Sequence, residues 1–144
     1  MKKVFLTLAV AIIALSTGSC VNSKTNEGEK KTPELATTTE KTIQILYFHG
    51  DRRCPTCIKV GEVSLNLYNT KYGSNSTVVY KEVNIDKEEN KAIAEKYQIA
   101  GSSLLIDVNG EVKNITVDAF KYAKTDPSQL EKIMSDIIDA GLKK

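Results

Sequence analysis

This sequence of 144 residues has little of what several functional classes require. Beside the close pair Cys54 and Cys57, the only other soft candidate ligand is His49, which is too few for a closed four-ligand zinc site unless two molecules meet, so no metal site of that kind is predicted. No G-x-G-x-x-G motif is present, so the fingerprint of flavin- or nicotinamide-binding domains is absent and no cofactor is predicted. The apolar run at residues 4–15 has 12 residues, whereas a helix that crosses a bilayer needs about 20.

The sequence also has no net charge of either sign once its first 20 residues are set aside. These residues hold two lysines and no acid, which leaves 18 of the 20 basic residues against 18 acidic ones. A nucleic-acid partner requires a basic face, and an anionic membrane surface attracts clusters of basic residues. We therefore predict no nucleic-acid partner, and membrane attachment has to come from a lipid.

The first 20 residues have the order of an export signal. Two lysines precede the apolar run, and small residues follow it at positions 16–19. Cys20 comes next and resembles the lipobox cysteine of bacterial lipoproteins, which is lipidated and becomes the new N-terminus, although Thr17 stands where that family prefers leucine. The resemblance implies a signal peptide at 1–20 and a lipid anchor at Cys20, in the cell envelope and facing the periplasm or the exterior. Ordinary cleavage and an uncleaved anchor are the alternatives.

The rest of the chain divides into a linker and one domain. Residues 21–40 are polar and rich in threonine, so they bury too little surface to fold and are predicted to be a flexible tether. Residues 41–144 alternate strand and helix patterns in the order β-α-β-α-β-β-α, which predicts an α/β fold with a central mixed sheet. The predicted strands are 42–48, 77–85, 103–108 and 111–117, with a hairpin at Asn109-Gly110. The predicted helices are 54–72, one capped by Asp86 that runs to about Tyr97, and one capped by Asp126 with Pro127 at its first position.

The motif Cys54-Pro55-Thr56-Cys57 follows the first predicted strand and opens a helix. Two cysteines three residues apart at a helix start lie on one face and can close a small disulfide. The sulfur of Cys54 lies near free helix amides and the positive end of the helix dipole, which favours a thiolate. Cys54 is therefore the predicted nucleophile and Cys57 the resolving thiol. Pro55 removes an amide that would lack a partner inside the helix.

The residues around the motif define a predicted thiolate environment. Arg52 and Arg53 add positive charge beside Cys54, and Asp51 partly opposes it. The two arginines stabilise the thiolate, recruit an acidic partner, or form a solvated loop face. Histidine side chains in general change charge near neutral pH, so His49 is interpreted either as a proton donor or acceptor for the cysteines or as a strand-end residue with a packed ring.

Longer stretches of the sequence carry a family resemblance. The C-P-T-C element, the segment VVYKEVNID before a charged helix, and KYQIAGSSLLIDVNGEV are similar to the thioredoxin family over residues 42–143. More closely, YFHGDRRCPTC resembles small bacterial lipoproteins called the nitrophenyl compound nitroreductase subunit ArsF family, a name from which we infer no nitroreduction. The resemblance implies a thioredoxin-like fold and exchange with partner protein dithiols and disulfides.

Two departures from the thioredoxin pattern limit the comparison. Ser103, after Ser102, occupies the position of the family's cis-proline. A cis bond before a residue other than proline costs about 2.5–4 kcal/mol, so we expect a trans bond and a substrate loop of different shape at Ser102 and Ser103. The strand before the motif also lacks the buried acid that helps to deprotonate the resolving cysteine in thioredoxins, and Tyr47 and Phe48 stand there.

Three interpretations of the cysteine pair remain open at this point. The first is thiol–disulfide exchange by an exported, membrane-tethered protein, whose redox state a membrane electron donor restores. The second is a binding or delivery module for a soft metal or metalloid, or an accessory subunit of a membrane partner, without turnover. The third is a structural disulfide.

Overall fold

The computed structural model describes residues 42–144, which form a mixed four-stranded sheet with helices on both faces. Strands β1 (Ile43–His49), β2 (Val78–Asn84), β3 (Ser103–Val108) and β4 (Glu111–Asn114) lie in the order β2-β1-β3-β4. Strand β1 is parallel to β2 and antiparallel to β3, and β4 is antiparallel to β3. Parallel neighbours require a crossover, and helix α1 (Pro55–Leu67) supplies it for β1 and β2. The predicted α/β fold is confirmed.

Strand β1 is central because both of its faces are apolar. Ile43, Ile45 and Tyr47 enter a core shared with α1, α3 (Thr116–Tyr122) and α4 (Pro127–Leu142). Leu46 and Phe48 enter a second core, which α2 (Lys91–Lys96) covers. A strand covered on both faces has a nearly continuous apolar sequence. Two short segments complete the helices: a π-helical turn, Tyr68–Tyr72, continues α1, and a 3₁₀ turn, Glu88–Asn90, precedes α2.

The prediction of a strand through residue 117 was wrong. Strand β4 ends at Asn114, and helix α3 begins at Thr116. The side chain of Asn114 accepts a hydrogen bond from the amide of Thr116 at 3.0 Å, and Thr116 Oγ1 accepts one from the amide of Leu104 at 3.1 Å. These side-chain bonds turn the backbone out of the sheet, so α3 is an additional helix between the hairpin and α4.

The predicted cap at Asp86 was also wrong. The carboxylate of Asp86 accepts a hydrogen bond from the amide of Asp51 at 2.7 Å, so it serves the loop after β1 instead of a helix start. The 3₁₀ turn begins after Lys87, and α2 begins after Asn90. Local sequence favours a cap at Asp86, and a contact with a residue 35 positions away overrides that preference.

Two other local predictions are confirmed. Asp126 caps α4, because its side chain accepts a hydrogen bond from the amide of Gln129 at 3.1 Å, and Pro127 is the first helical residue. Asn109 and Gly110 form the hairpin turn with φ values of 53° and 91°, which is the geometry that asparagine and glycine tolerate. No helix within residues 42–144 is long and apolar enough to cross a membrane. The predictions for residues 1–20, Cys20 and 21–40 lie outside the described residues.

Candidate active site

The cysteine pair lies at the start of α1, as predicted. Cys54 is the N-cap residue, and its extended backbone leads the chain into the helix. Its Sγ accepts a hydrogen bond from the amide of Cys57 at 3.1 Å. The two sulfurs form a disulfide, and the Cα atoms lie 5.1 Å apart, within the usual range for disulfides. The first turn of α1 therefore closes the small ring expected from the C-x-x-C spacing.

The two cysteines differ in their access to solvent. Cys54 is exposed, whereas Cys57 is 7% exposed. The amide of Cys57 has no partner inside the helix because it belongs to the first turn, so the sulfur of Cys54 satisfies it. A thiolate accepts such a bond more strongly than a thiol, and α1 has no acidic residue in its first turn to oppose the charge. The roles of Cys54 as the attacking sulfur and Cys57 as the resolving one stay predictions.

The two arginines before Cys54 lie in different surroundings. Arg52 is exposed on the loop, whereas Arg53 is half-buried. The guanidinium of Arg53 donates to Glu82 Oε1 at 3.0 Å and to the hydroxyl of Tyr47 at 3.2 Å, and it lies 5.3 Å from the centre of the Tyr47 ring. Arg53 therefore joins the loop to β1 and β2.

Tyr47 connects β1 to the backbone of Cys57. Its side chain is fully buried, and its hydroxyl donates to the carbonyl oxygen of Cys57 at 2.5 Å. Burial raises the pKa of Tyr47, and the hydrogen bond and charge of Arg53 oppose that rise in part. The hydroxyl therefore keeps the proton with which it holds the carbonyl of Cys57.

His49 ends β1 beside the same group of residues. Its Nε2 lies 3.2 Å from Glu82 Oε1, its Nδ1 lies 2.9 Å from the carbonyl oxygen of Gly50, and its ring centre is 5.6 Å from that of Tyr47. Its side chain is 12% exposed. These contacts match the alternative of a packed ring at a strand end, and a direct role in proton transfer stays a prediction.

The loop between β1 and α1 is tied to the end of β2. The amide of Asp51 donates to Asp86, and the side-chain amide of Asn84 donates to Asp51 Oδ1 at 2.7 Å. The hydrogen bond from Asn84 and the charge of Lys87 lower the pKa of Asp51. The negative charge of Asp51 is thus engaged with Asn84 and Lys87. These bonds fix the loop that carries Arg52 and Arg53.

Ser102 and Ser103 lie where β3 begins, beside the end of β1. Ser103 pairs with Phe48 across the antiparallel ladder, and its hydroxyl donates to the carbonyl of Gly101 at 3.1 Å. Every peptide bond within residues 42–144 is trans, which confirms the prediction for Ser103. Both serines are half-buried, and their role as a substrate loop stays a prediction.

Sequence reasoning missed Glu82 and Gly61. Glu82 was assigned only to a strand, but β1 and β2 pair in parallel with Tyr47 opposite Glu82, so this pairing would have placed it beside the motif. A Cβ atom at Gly61 would lie 2.7 Å from Cε1 of Tyr47 and 2.9 Å from Nη2 of Arg53. Glycine inside a helix costs about 1 kcal/mol relative to alanine. An interior glycine in a helical pattern is therefore a signal of close packing.

The described residues offer few ligands for a metal ion. Within residues 42–144, no three histidine, cysteine, aspartate or glutamate side chains form a potential metal-binding group. The soft-metal alternative therefore rests on Cys54 and Cys57 alone, which are joined in the disulfide and would first have to be reduced. The ring of His49 is engaged with Glu82 and Gly50.

No protein-family model matches this chain, and no curated protein matches it in sequence. Among solved structures, it is similar to oxidized thioredoxin O2 from Arabidopsis thaliana, with 22% identity over 67% of this chain and 75% of that one and a TM-score of 0.49. Trxlp from Edwardsiella tarda EIB202 has 18% identity over 66% of this chain and 84% of that one, with a TM-score of 0.48. Human ERp44 has 18% identity over 71% of this chain and 25% of that one, with a TM-score of 0.44. These are similarities of fold alone. The strand order and directions described above give residues 42–144 a mixed α/β fold.

Proposed function

We propose that this chain exchanges dithiols and disulfides with partner proteins through Cys54 and Cys57. The observation that carries the proposal is the asymmetric pair at the start of α1, in which Cys54 is exposed and Cys57 is buried. A purely structural disulfide has no need for an exposed sulfur at a helix N-terminus. Such a position lowers the pKa of a thiol and makes it reactive.

The exchange takes two steps from the reduced chain. The Cys54 thiolate attacks one sulfur of a partner disulfide, so a bond forms between these two sulfurs and the other partner sulfur leaves as a thiolate. Cys57 then loses its proton to water and attacks Sγ of Cys54. The bond between Cys54 and Cys57 forms as the mixed disulfide breaks, and the second partner sulfur leaves as a thiolate. The partner thus gains two electrons, its two thiolates take protons from water, and this chain reaches the disulfide state seen in the structure.

The experiment that tests this function separates the two steps. The Cys57→Ser variant should accumulate mixed disulfides with partner proteins, because Cys54 still attacks and resolution is lost. These adducts should appear on non-reducing gels and disappear after reduction. Cys54→Ser is the matched control and should trap few adducts, because Cys57 is buried. Equal trapping by both variants would contradict the proposal.

The proposal extends to the place where the exchange occurs. The signal-like residues 1–20 and the lipobox-like Cys20 support export and a lipid anchor in the bacterial cell envelope, facing the periplasm or the exterior. The polar segment 21–40 would then separate the domain from the membrane. A membrane electron donor would restore the redox state of the pair. The likeness of YFHGDRRCPTC to the ArsF lipoproteins supports the same placement.

A further inference from the structure

A line of hydrogen bonds joins the resolving cysteine to both parallel strands. It runs from the carbonyl of Cys57 to the hydroxyl of Tyr47 at 2.5 Å, and from that hydroxyl to Nη2 of Arg53 at 3.2 Å. It then runs from Nη1 of Arg53 to Glu82 at 3.0 Å. These four residues come from α1, β1, the loop before α1, and β2. We call them the Tyr47 clamp.

The clamp holds both flanks of the disulfide ring at one point. Arg53 immediately precedes Cys54, and the carbonyl of Cys57 closes the other side, so the single hydroxyl of Tyr47 contacts both ends of the motif. A buried hydroxyl needs a hydrogen-bond partner in any fold. That general need does not explain why the partners of Tyr47 are the carbonyl of Cys57 and the guanidinium of Arg53. Gly61 leaves the space that the Tyr47 ring and the Arg53 guanidinium fill, although glycine is unfavourable in a helix interior.

We propose that Tyr47, held by Arg53 and Glu82, is a positioning residue that fixes the backbone of Cys57 and so sets how readily the Cys54–Cys57 disulfide closes. This inference rests on the exchange proposed above and identifies what controls its second step. When the disulfide is open, the clamp restricts the arrangements that Cys57 can adopt relative to Cys54. With fewer such arrangements, the effective concentration of one thiol near the other is higher, and the disulfide closes more readily.

The expected effect follows from the loss of one hydrogen bond. Tyr47→Phe keeps the buried ring and removes only the hydroxyl that holds Cys57. The net contribution of one such bond corresponds to about a 2- to 12-fold change in an equilibrium constant. We therefore expect the ratio of disulfide to dithiol, at a fixed glutathione ratio, to fall on the order of fivefold. Glu82→Gln should shift it in the same direction by less, because Arg53 stays in contact with Tyr47.

The measurement uses the full chain carrying Cys20→Ser, so that Cys54 and Cys57 are its only cysteines. The purified protein is equilibrated with reduced and oxidised glutathione, free thiols are blocked by alkylation, and the two states are counted by mass spectrometry. Tyr97→Phe is the matched control. It also removes a tyrosine hydroxyl, one that donates to the buried Asp107 at 2.7 Å in the core on the other face of the sheet. We expect this control to leave the glutathione equilibrium unchanged.

Two results would overturn the inference. One is a Tyr47→Phe ratio equal to that of the parent protein. The other is an equal fall of the disulfide-to-dithiol ratio in Tyr97→Phe, which would show that loss of any hydrogen-bonded tyrosine hydroxyl disfavours the disulfide. The glutathione equilibrium needs no protein partner, so failure of one proposal can be distinguished from failure of the other. If Cys57→Ser traps no partner but Tyr47→Phe shifts the equilibrium, partner exchange is contradicted and the positioning role is supported. If the parent protein forms no disulfide with glutathione, both are contradicted.

Discussion

Substituting Gly61 by alanine tests the packing beneath the cysteine motif. In an open helix interior this change is favourable by about 1 kcal/mol, because alanine is the better helix former. At Gly61 the added Cβ atom would lie 2.7 Å from Cε1 of Tyr47 and 2.9 Å from Nη2 of Arg53. Carbon atoms pack best at about 3.5–4.0 Å. The new methyl group therefore overlaps a buried ring and a bonded guanidinium.

The magnitude follows from which atoms can move. The ring of Tyr47 is fully buried in the core, and an overpacked core costs about 1–3 kcal/mol. Displacing Arg53 also weakens its hydrogen bond to Tyr47, which contributes about 1 kcal/mol. After the gain in helix propensity, we expect Gly61→Ala to lower the free energy of unfolding by about 1–3 kcal/mol. For a domain of this size, that corresponds to a fall in Tm of about 5–15 °C.

The assay is urea or thermal denaturation followed by circular dichroism, with the disulfide intact. Gly101→Ala is the matched control, because a Cβ atom there meets nothing within 4 Å. Its free energy of unfolding should stay within about 0.5 kcal/mol of the parent. A Gly61→Ala protein as stable as the parent, or more stable, would refute the packing argument and weaken the case for the Tyr47 clamp.

Two further predictions concern pH and the membrane. Burial raises the pKa of Tyr80 to about 12. The unfolded chain therefore loses this proton first, stability is fully present below about pH 10, and it falls as the pH rises toward 12. Tyr80→Phe should lose less stability over that range in urea denaturation, and an unchanged loss would contradict the assignment. Cys20→Ser should leave an uncleaved precursor or a soluble protein, as judged by membrane fractionation and mass, because the proposed lipid at Cys20 is the only membrane attachment that we propose. Recovery with membranes at the mature size would rule out the lipid anchor.

Local chemistry in the sequence determined most of the elements. The apolar run at residues 42–48 predicted the central strand, because a strand covered on both faces has few polar positions. Asn109-Gly110 predicted the hairpin, and Asp126 before Pro127 predicted the start of α4. Each of these signals acts within a few residues, so no tertiary contact has to be known. The C-P-T-C motif likewise predicted the cysteine pair at a helix start.

Predictions from the sequence were wrong where another hydrogen bond competes with a local structural preference. Aspartate is a favourable N-cap residue, but the carboxylate of Asp86 accepts a hydrogen bond from the amide of Asp51 instead. Residues 115–117 suit a strand by propensity, but Asn114 and Thr116 use their side chains to start α3. Hydrogen bonds from such short polar side chains compete with regular structure. Which hydrogen bond such a side chain forms depends on which donors the rest of the fold places near it.

The surroundings of the cysteines were decided by tertiary structure alone. The sequence placed Arg53 beside Cys54 and suggested an effect on its thiolate, whereas the fold directs its guanidinium to Tyr47 and Glu82. Tyr47 and Glu82 lie 35 positions apart, and they become neighbours because β1 and β2 pair in parallel with these two residues in register. Sequence spacing predicted which sulfurs meet, since they are three residues apart on one helix. Tyr47 and Glu82, which both contact Arg53, come from separate strands, and only the packed sheet brings them together.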